Sequence, residues 1–114
     1  MTMQTIHDQV EDAADQVAVA KTILQQLGGS RFTAMTGAKS LMAHADGLSF
    51  RLPSRFARDG INYVKITLTP ADTYDVEFGK VWGRQYRVVH VSEGDYAEDL
   101  RRIFTKWTGL DTSL

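Results

Sequence analysis

Apolar residues recur at alternating spacings of four and three along the first part of the chain. This spacing places one apolar face on an amphipathic helix. No Gly or Pro interrupts the pattern before Gly28 and Gly29, where a left-handed C-cap would end the helix. We therefore predict an amphipathic acidic helix within residues 1–27. Its apolar stripe consists of Ile6, Val10, Ala13, Val17, Ala20, Leu24 and Leu27.

The predicted N-terminal helix has two interpretations. About 22 helical residues extend roughly 33 Å, which is longer than a small core can cover. The helix either packs on the rest of the domain along its whole length, or uses its upstream part for a homodimer or a partner helix. The first 20 residues contain no Lys or Arg, so their carboxylates form a candidate contact surface. These are Asp8, Glu11, Asp12 and Asp15.

After Gly28 and Gly29, apolar residues recur at every second position. Leu48, Phe50 and Leu52 alternate with Ser49 and Arg51, which is typical of a strand with one buried face. Similar patterns occupy residues 31–36, 61–68, 74–78 and 86–91, and residues 40–44 form a further short run. Strands joined by short turns favour an antiparallel meander. We predict an antiparallel sheet of five or six strands within residues 31–92.

A second helix is predicted over residues 95–108. Asp95 and Glu98 have the spacing of a capping box, and Gly109 follows the helix as its C-cap. Its buried stripe would comprise Ala97, Leu100, Ile103, Phe104 and Trp107. The pattern predicts the α+β class, with a long N-terminal helix, an antiparallel meander and a C-terminal helix.

Composition narrows the function classes. The 114 residues are 43% hydrophobic and 24% charged, as in an ordinary single globular domain. Cysteine is absent, which excludes disulfides, thiolate catalysis and Cys-ligated metals. No apolar run approaches the roughly 20 residues of a membrane span, and the first residues are acidic where a signal peptide is basic. We expect a cytoplasmic protein without a membrane partner.

The histidines give no metal-binding pattern. His7, His44 and His90 are isolated, without the HxH or HExxH spacing of a metal site. We therefore expect no metal and no cofactor.

One pair of carboxylates is a candidate for catalysis. Asp75 and Glu77 share a strand face, where they could serve acid–base chemistry or bind a divalent cation. Such a pair is more often the solvated side of a strand, opposite Lys65 or Arg87. We expect no catalytic residues, and the sequence favours a binding protein over an enzyme.

A basic region extends from Arg51 to Lys65, around the loop that follows the predicted strand at residues 48–52. Arg51, Arg55, Arg58 and Lys65 outnumber the nearby acids, and Phe56 lies between two of these arginines. Arginine and an aromatic ring can hold a phosphate backbone and stack on a base, and they also suit an acidic protein surface. A pI of about 6.3 argues against a dedicated nucleic-acid binder. Further candidate contact residues are large amphipathic rings, namely Tyr63, Tyr74, Trp82 and Tyr86.

Five segments of the chain carry a resemblance. They read LGGSRFTAMTGAK at 27–39, GLSFRLP at 47–53, INYVKITL at 61–68, DTYDVEFGK at 72–80 and IFTKWTGLDTSL at 103–114. In this order they resemble a family of small, mostly uncharacterised proteins of bacteriophages, prophages and other mobile elements. The resemblance extends from residue 20 onward, and the acidic segment before it departs from the shorter members. It implies no catalytic residues.

The resemblance implies a biological context. Compact accessory proteins of mobile elements are often inhibitors of host defence, anti-CRISPR proteins included, and they commonly act by stoichiometric binding. Our leading hypothesis is a non-enzymatic inhibitor of a defence nuclease complex in a bacterial host, whose partner is a host protein or ribonucleoprotein. The acidic first helix would imitate phosphate charge. The alternatives are a nucleic-acid-binding accessory protein and a self-assembling module with the first helix as its seam.

Overall fold

The fold contains one antiparallel sheet, seen in a computed structural model that describes residues 17–112. Its strand order is β1-β2-β3-β4-β5, so each strand pairs with its neighbours in the chain. The predicted α+β class and antiparallel meander are confirmed, with five strands. The strands are β1 (Lys39–His44), β2 (Gly47–Arg51), β3 (Tyr63–Leu68), β4 (Tyr74–Trp82) and β5 (Gln85–Asp95).

The helices of the described chain pack on one face of this sheet. Helix α1 covers residues 17–27, α2 is Ser30–Thr36 and α3 is Leu100–Thr108. Short 3₁₀ turns occur at Arg58–Gly60 and Ala97–Asp99. Buried side chains from all three helices and from β2, β3 and β4 form one apolar cluster. The core therefore lies between the helices and the sheet.

Three phenylalanines occupy the centre of this core. Phe32 of α2 makes edge-to-face contacts with Phe50 of β2 and Phe104 of α3, with ring centroids 5.3 and 5.1 Å apart. All three rings are almost completely buried. Edge-to-face pairs add about 0.5–1.5 kcal/mol to the stabilisation from area burial. The cluster joins two helices to the sheet.

Helix α1 ends at Gly28 and Gly29, as predicted from the sequence. The Gly28 and Gly29 N–H groups donate to the Leu24 carbonyl, and Gly29 has a φ of 63°. The Arg101 Nε of α3 donates to the Gln26 carbonyl, which satisfies one acceptor at the helix end.

The buried side of α1 differs slightly from the predicted stripe. Ala20, Ile23 and Leu27 are buried, whereas Leu24 is only partly buried and Val17 is 40% exposed. The predicted Ile6, Val10 and Ala13, and the carboxylates upstream of them, lie outside the described residues.

The predicted strand over residues 31–36 is wrong. This segment is helix α2, bounded by Gly29 and by the left-handed Gly37. Its two buried residues, Phe32 and Thr36, are four apart, a spacing that places side chains on one face in a helix as well as in a strand. The Thr36 hydroxyl donates to the Phe32 carbonyl at 2.7 Å, within one helical turn.

The predicted capping box is also wrong. Asp95 is the last residue of β5, and its carboxylate accepts a hydrogen bond from the Ser92 hydroxyl at 2.6 Å. Because the strand continues to this point, α3 begins only at Leu100, after a 3₁₀ turn and without a side-chain cap. The predicted end at Gly109 is confirmed, and Leu100, Ile103 and Phe104 are buried as predicted.

We expect Phe104→Ala to lower the free energy of unfolding by about 3–5 kcal/mol, because it leaves a cavity against Phe32 and Phe50. Urea denaturation followed by circular dichroism measures this loss. Phe56→Ala is the control, since Phe56 is 56% exposed and its removal should cost less than about 0.5 kcal/mol. Equal losses in the two variants would contradict a core centred on the phenylalanines.

Candidate binding surface

The face of the sheet opposite the helices is called the open face. Alternate residues of each strand point toward it. On β3 these are Tyr63, Lys65 and Thr67, and on β4 they are Asp75, Glu77 and Gly79, which pair directly across the two strands. No helix within residues 17–112 contributes to this face.

An apolar stripe on β5 borders the open face. Tyr86, Val88 and Val91 are each 43–45% exposed. Val88 pairs with Gly79 and Val91 with Glu77, so both point to the open face although they are three residues apart. The extra residue is a β-bulge at Val89, where the pairing register shifts. Neither valine was predicted from the sequence as a contact residue. An unbroken alternation through Val88 assigns Val91 to the opposite face, so the pattern could not place the two valines together.

Tyr86 lies flat against the sheet beside Gly79, where a Cβ would collide with its ring. Its ring makes an edge-to-face contact with Tyr63, with centroids 5.5 Å apart. Its hydroxyl donates a hydrogen bond to the Glu77 carboxylate. Burial, this hydrogen bond and the negative charge of Glu77 raise the pKa of the Tyr86 phenol well above its ordinary value.

Charges of the open face separate by strand. Lys39, Arg51 and Lys65 lie on β1, β2 and β3, in register with other open-face residues. Asp75 and Glu77 lie on β4, and they line a shallow depression of about 340 Å³ together with Glu93 of β5. One half of the face is thus basic and the other half is acidic.

The predicted neighbours of the carboxylate pair are partly confirmed. Lys65 is the cross-strand partner of Glu77, as expected, whereas Arg87 pairs with Lys80 and belongs to the other side of the sheet. Asp75 accepts a hydrogen bond from the Gly94 N–H at 3.0 Å. The two carboxylates are therefore engaged with the β5 backbone and with Tyr86.

The predicted basic region does not form one patch. Arg51 and Lys65 lie on the open face, but the Arg58 guanidinium donates to the Lys106 carbonyl of α3 at 3.3 Å, on the helix side. The chain crosses from one layer to the other between these residues. Arg55 and Phe56 are exposed in the intervening loop.

Two of the four predicted contact rings are well exposed. Trp82 and Tyr86 are each 43% exposed, and Tyr63 is half-buried beneath Tyr86. Tyr74 is only 6% exposed, so its prediction as a contact residue is wrong. Its ring belongs to the core because it shares the inward face of β4 with Val76 and Phe78.

The two histidines within the described residues contact other side chains of the fold. A His44 ring nitrogen and the Ser49 hydroxyl form a hydrogen bond at 2.8 Å, and His90 stacks on Trp107 with centroids 3.4 Å apart. Within residues 17–112, no group of three or more metal-ligating side chains is placed to hold an ion. No helix in this range is both long and apolar enough to cross a membrane. The candidate contacts Asp8, Glu11, Asp12 and Asp15, as well as His7, lie outside the described residues.

The Tyr86 phenol should ionise at a pH above the ordinary tyrosine pKa of about 10, measured by tyrosinate absorbance in the near ultraviolet. Since its folded pKa is raised, its stabilising contribution is complete below the ordinary tyrosine pKa of about 10 and is lost as pH rises through the folded value. Glu77→Gln should move this step to lower pH, and Tyr86→Phe should remove it. An unchanged Tyr86 titration in Glu77→Gln would contradict the Tyr86–Glu77 contact.

Comparison with known proteins gives no relative: no family model, no curated protein and no solved structure matches this chain. The resemblance to proteins of mobile elements therefore stays a prediction.

Proposed function

We propose that this protein is a non-enzymatic binding protein whose open face docks against another protein. The observation that carries the proposal is the exposed stripe of Tyr86, Val88 and Val91 on a sheet face that no helix of residues 17–112 covers. Contiguous apolar groups on a protein surface mark interaction sites, because their burial against a partner removes them from water. Tyrosine is also enriched among residues that dominate binding energy.

The charges of the open face favour a protein partner over a nucleic acid. Asp75, Glu77 and Glu93 lie next to the exposed valines, where they would repel a phosphate backbone. An apolar stripe beside charged and polar groups is compatible with a protein interface, where an apolar contact is surrounded by a polar rim.

The resemblance gives this proposal a specific form. The protein would be a stoichiometric inhibitor encoded by a phage or mobile element, and its partner would be a component of a host defence nuclease complex. Binding through a broad sheet face would block the partner's working surface without chemistry. The acidic residues before Val17 would provide a second contact for a basic groove of the same partner.

Single-stranded nucleic acid is the second candidate partner. Arg51 and Lys65 lie on the same face as the Tyr63 and Tyr86 rings, and cations beside aromatic rings can hold a phosphate backbone and stack on bases. This alternative requires that the basic half of the face act alone.

We expect the paired substitution Val88→Asp and Val91→Asp to weaken partner binding by at least about 30-fold, the effect of losing an interface hot spot. The measurement is affinity capture from bacterial lysate, followed by titration of the captured protein, together with a phage protection assay. Phe56→Asp is the matched control, because it adds a charge at an exposed apolar residue of the loop that leads to the helix side. Circular dichroism verifies the fold of each variant.

Full binding by the valine variant, combined with loss of binding in the Phe56 variant, would assign the contact to the loop and contradict the open face as the binding surface.

Binding of nucleic acid is tested by a gel shift with single-stranded DNA and RNA. Retention at low salt that falls steeply with added salt, and disappears with Arg51→Glu and Lys65→Glu, would favour the second candidate.

A further inference from the structure

The separation of charge on the open face divides it into two halves of opposite sign. Lys39, Arg51 and Lys65 are on β1 to β3, and Asp75, Glu77 and Glu93 are on β4 and β5. Within residues 17–112 the structure contains a single salt bridge, between Arg102 and Asp99. None of the six open-face charges is therefore ion-paired with another described residue, including Lys65 and Glu77, which are cross-strand partners.

A surface with this arrangement is complementary to a second copy of itself. Two identical faces that pack against each other are related by a two-fold axis between them. If that axis runs parallel to the strands, it reverses the strand order, and the basic half of each copy lies over the acidic half of the other. An axis between β3 and β4 places β3 over β4 of the second copy, and β2 over its β5.

This placement matches individual positions in charge. Lys65 and Glu77 occupy the same cross-strand row, so Lys65 of each copy faces Glu77 of the other. The contact occurs twice because of the symmetry, and each copy contributes one cation and one carboxylate.

The same placement also matches side-chain size. The open face of β2 carries the small residues Gly47 and Ser49, which would lie near Val91 on β5 of the second copy. A small residue opposite a larger apolar one allows the two sheets to approach and removes Val91 from water.

We propose that the open face is a self-complementary interface, and that a second copy of this chain covers it when no target is bound. The inference rests on the surface used by the proposed function and names its occupant in the absence of a target. Target binding and self-association then compete for one surface.

The size of the face sets the expected affinity. The four strands that overlap in this placement, β2 to β5, are about 4.8 Å apart with about five residues of 3.4 Å in each, and they span roughly 19 by 17 Å. This is about 40% of the ~800 Å² per partner that a standard stable interface buries. The dimer is therefore expected to dissociate on dilution, so that a target can displace the second copy.

The test is sedimentation velocity of the purified full chain over a wide concentration range. We expect the unaltered protein to show a reversible monomer–dimer equilibrium. Lys65→Glu or Glu77→Lys alone places like charges opposite each other at both symmetric contacts, and should weaken the dimer at least about 10-fold. An equal mixture of the two variants should restore association as a heterodimer, because every contact then joins opposite charges.

Rescue by mixing is the decisive result. An intrachain effect of either substitution, such as a disturbed pairing of β3 with β4, cannot be repaired by adding another molecule. The double variant with both reversals should also dimerise with itself. Should a reversal variant fail to fold, Val91→Asp provides an independent variant, since it buries a charge in the dimer and leaves the Lys65–Glu77 pair intact.

Two results would overturn the inference. One is a monomer at every concentration, and the other is a dimer that neither charge reversal nor Val91→Asp weakens. In the second case, dissociation by Val17→Asp would assign the seam to the first helix. Sedimentation is measured without a target, so neither result bears on the proposed function. The capture experiment tests that function separately, and one proposal can fail while the other holds.

Discussion

The edge-to-face contact of Phe32 with Phe50 and Phe104 is the constraint on which the rest of the structure depends. These rings come from α2, β2 and α3, which are distant in the chain, and their burial requires both helices on the same side of the sheet. Helix α1 is held on that side as well, through Ile23 and Leu27 in the core. Every described helix therefore packs on one face, and none of the described helices covers the other face of the sheet.

The sequence was informative where the alternation was long and unambiguous. In β3 and β4 it identified the inward residues, such as Val64 and Phe78, and thereby which side chains point away from the core. It failed for α2, because a buried pair four residues apart fits both periods, and only the packing of Phe32 against two other rings selects the helix. The start of α3 was misplaced because the capping pattern at Asp95 competes with strand pairing, and the pairing prevails.

The candidate surface was harder to predict, because it depends on register. Each charged residue could be assigned to a side of its own strand. The division into a basic and an acidic half emerges only when β1 to β5 are aligned. The same limit explains the basic loop: Arg51 and Arg58 are close in sequence, yet the chain carries them to opposite layers. Val91 was missed because a β-bulge has no dependable signal in a single sequence.

The bulge at Val89 of β5 also links the two layers. Because the extra residue shifts the register, Val89 and His90 both lie on the helix side, where Val89 packs against the core and His90 stacks on Trp107. A shorter descendant that lost Val89 would keep every other side chain of β5 on its present face, since regular pairing would resume. Loss of the residue at this position would therefore leave the pairing register of the rest of β5 almost unchanged. It would, however, reduce the twist of the edge strand and its packing against the last helix. The curvature of the open face could therefore change during evolution without the replacement of any residue on that face.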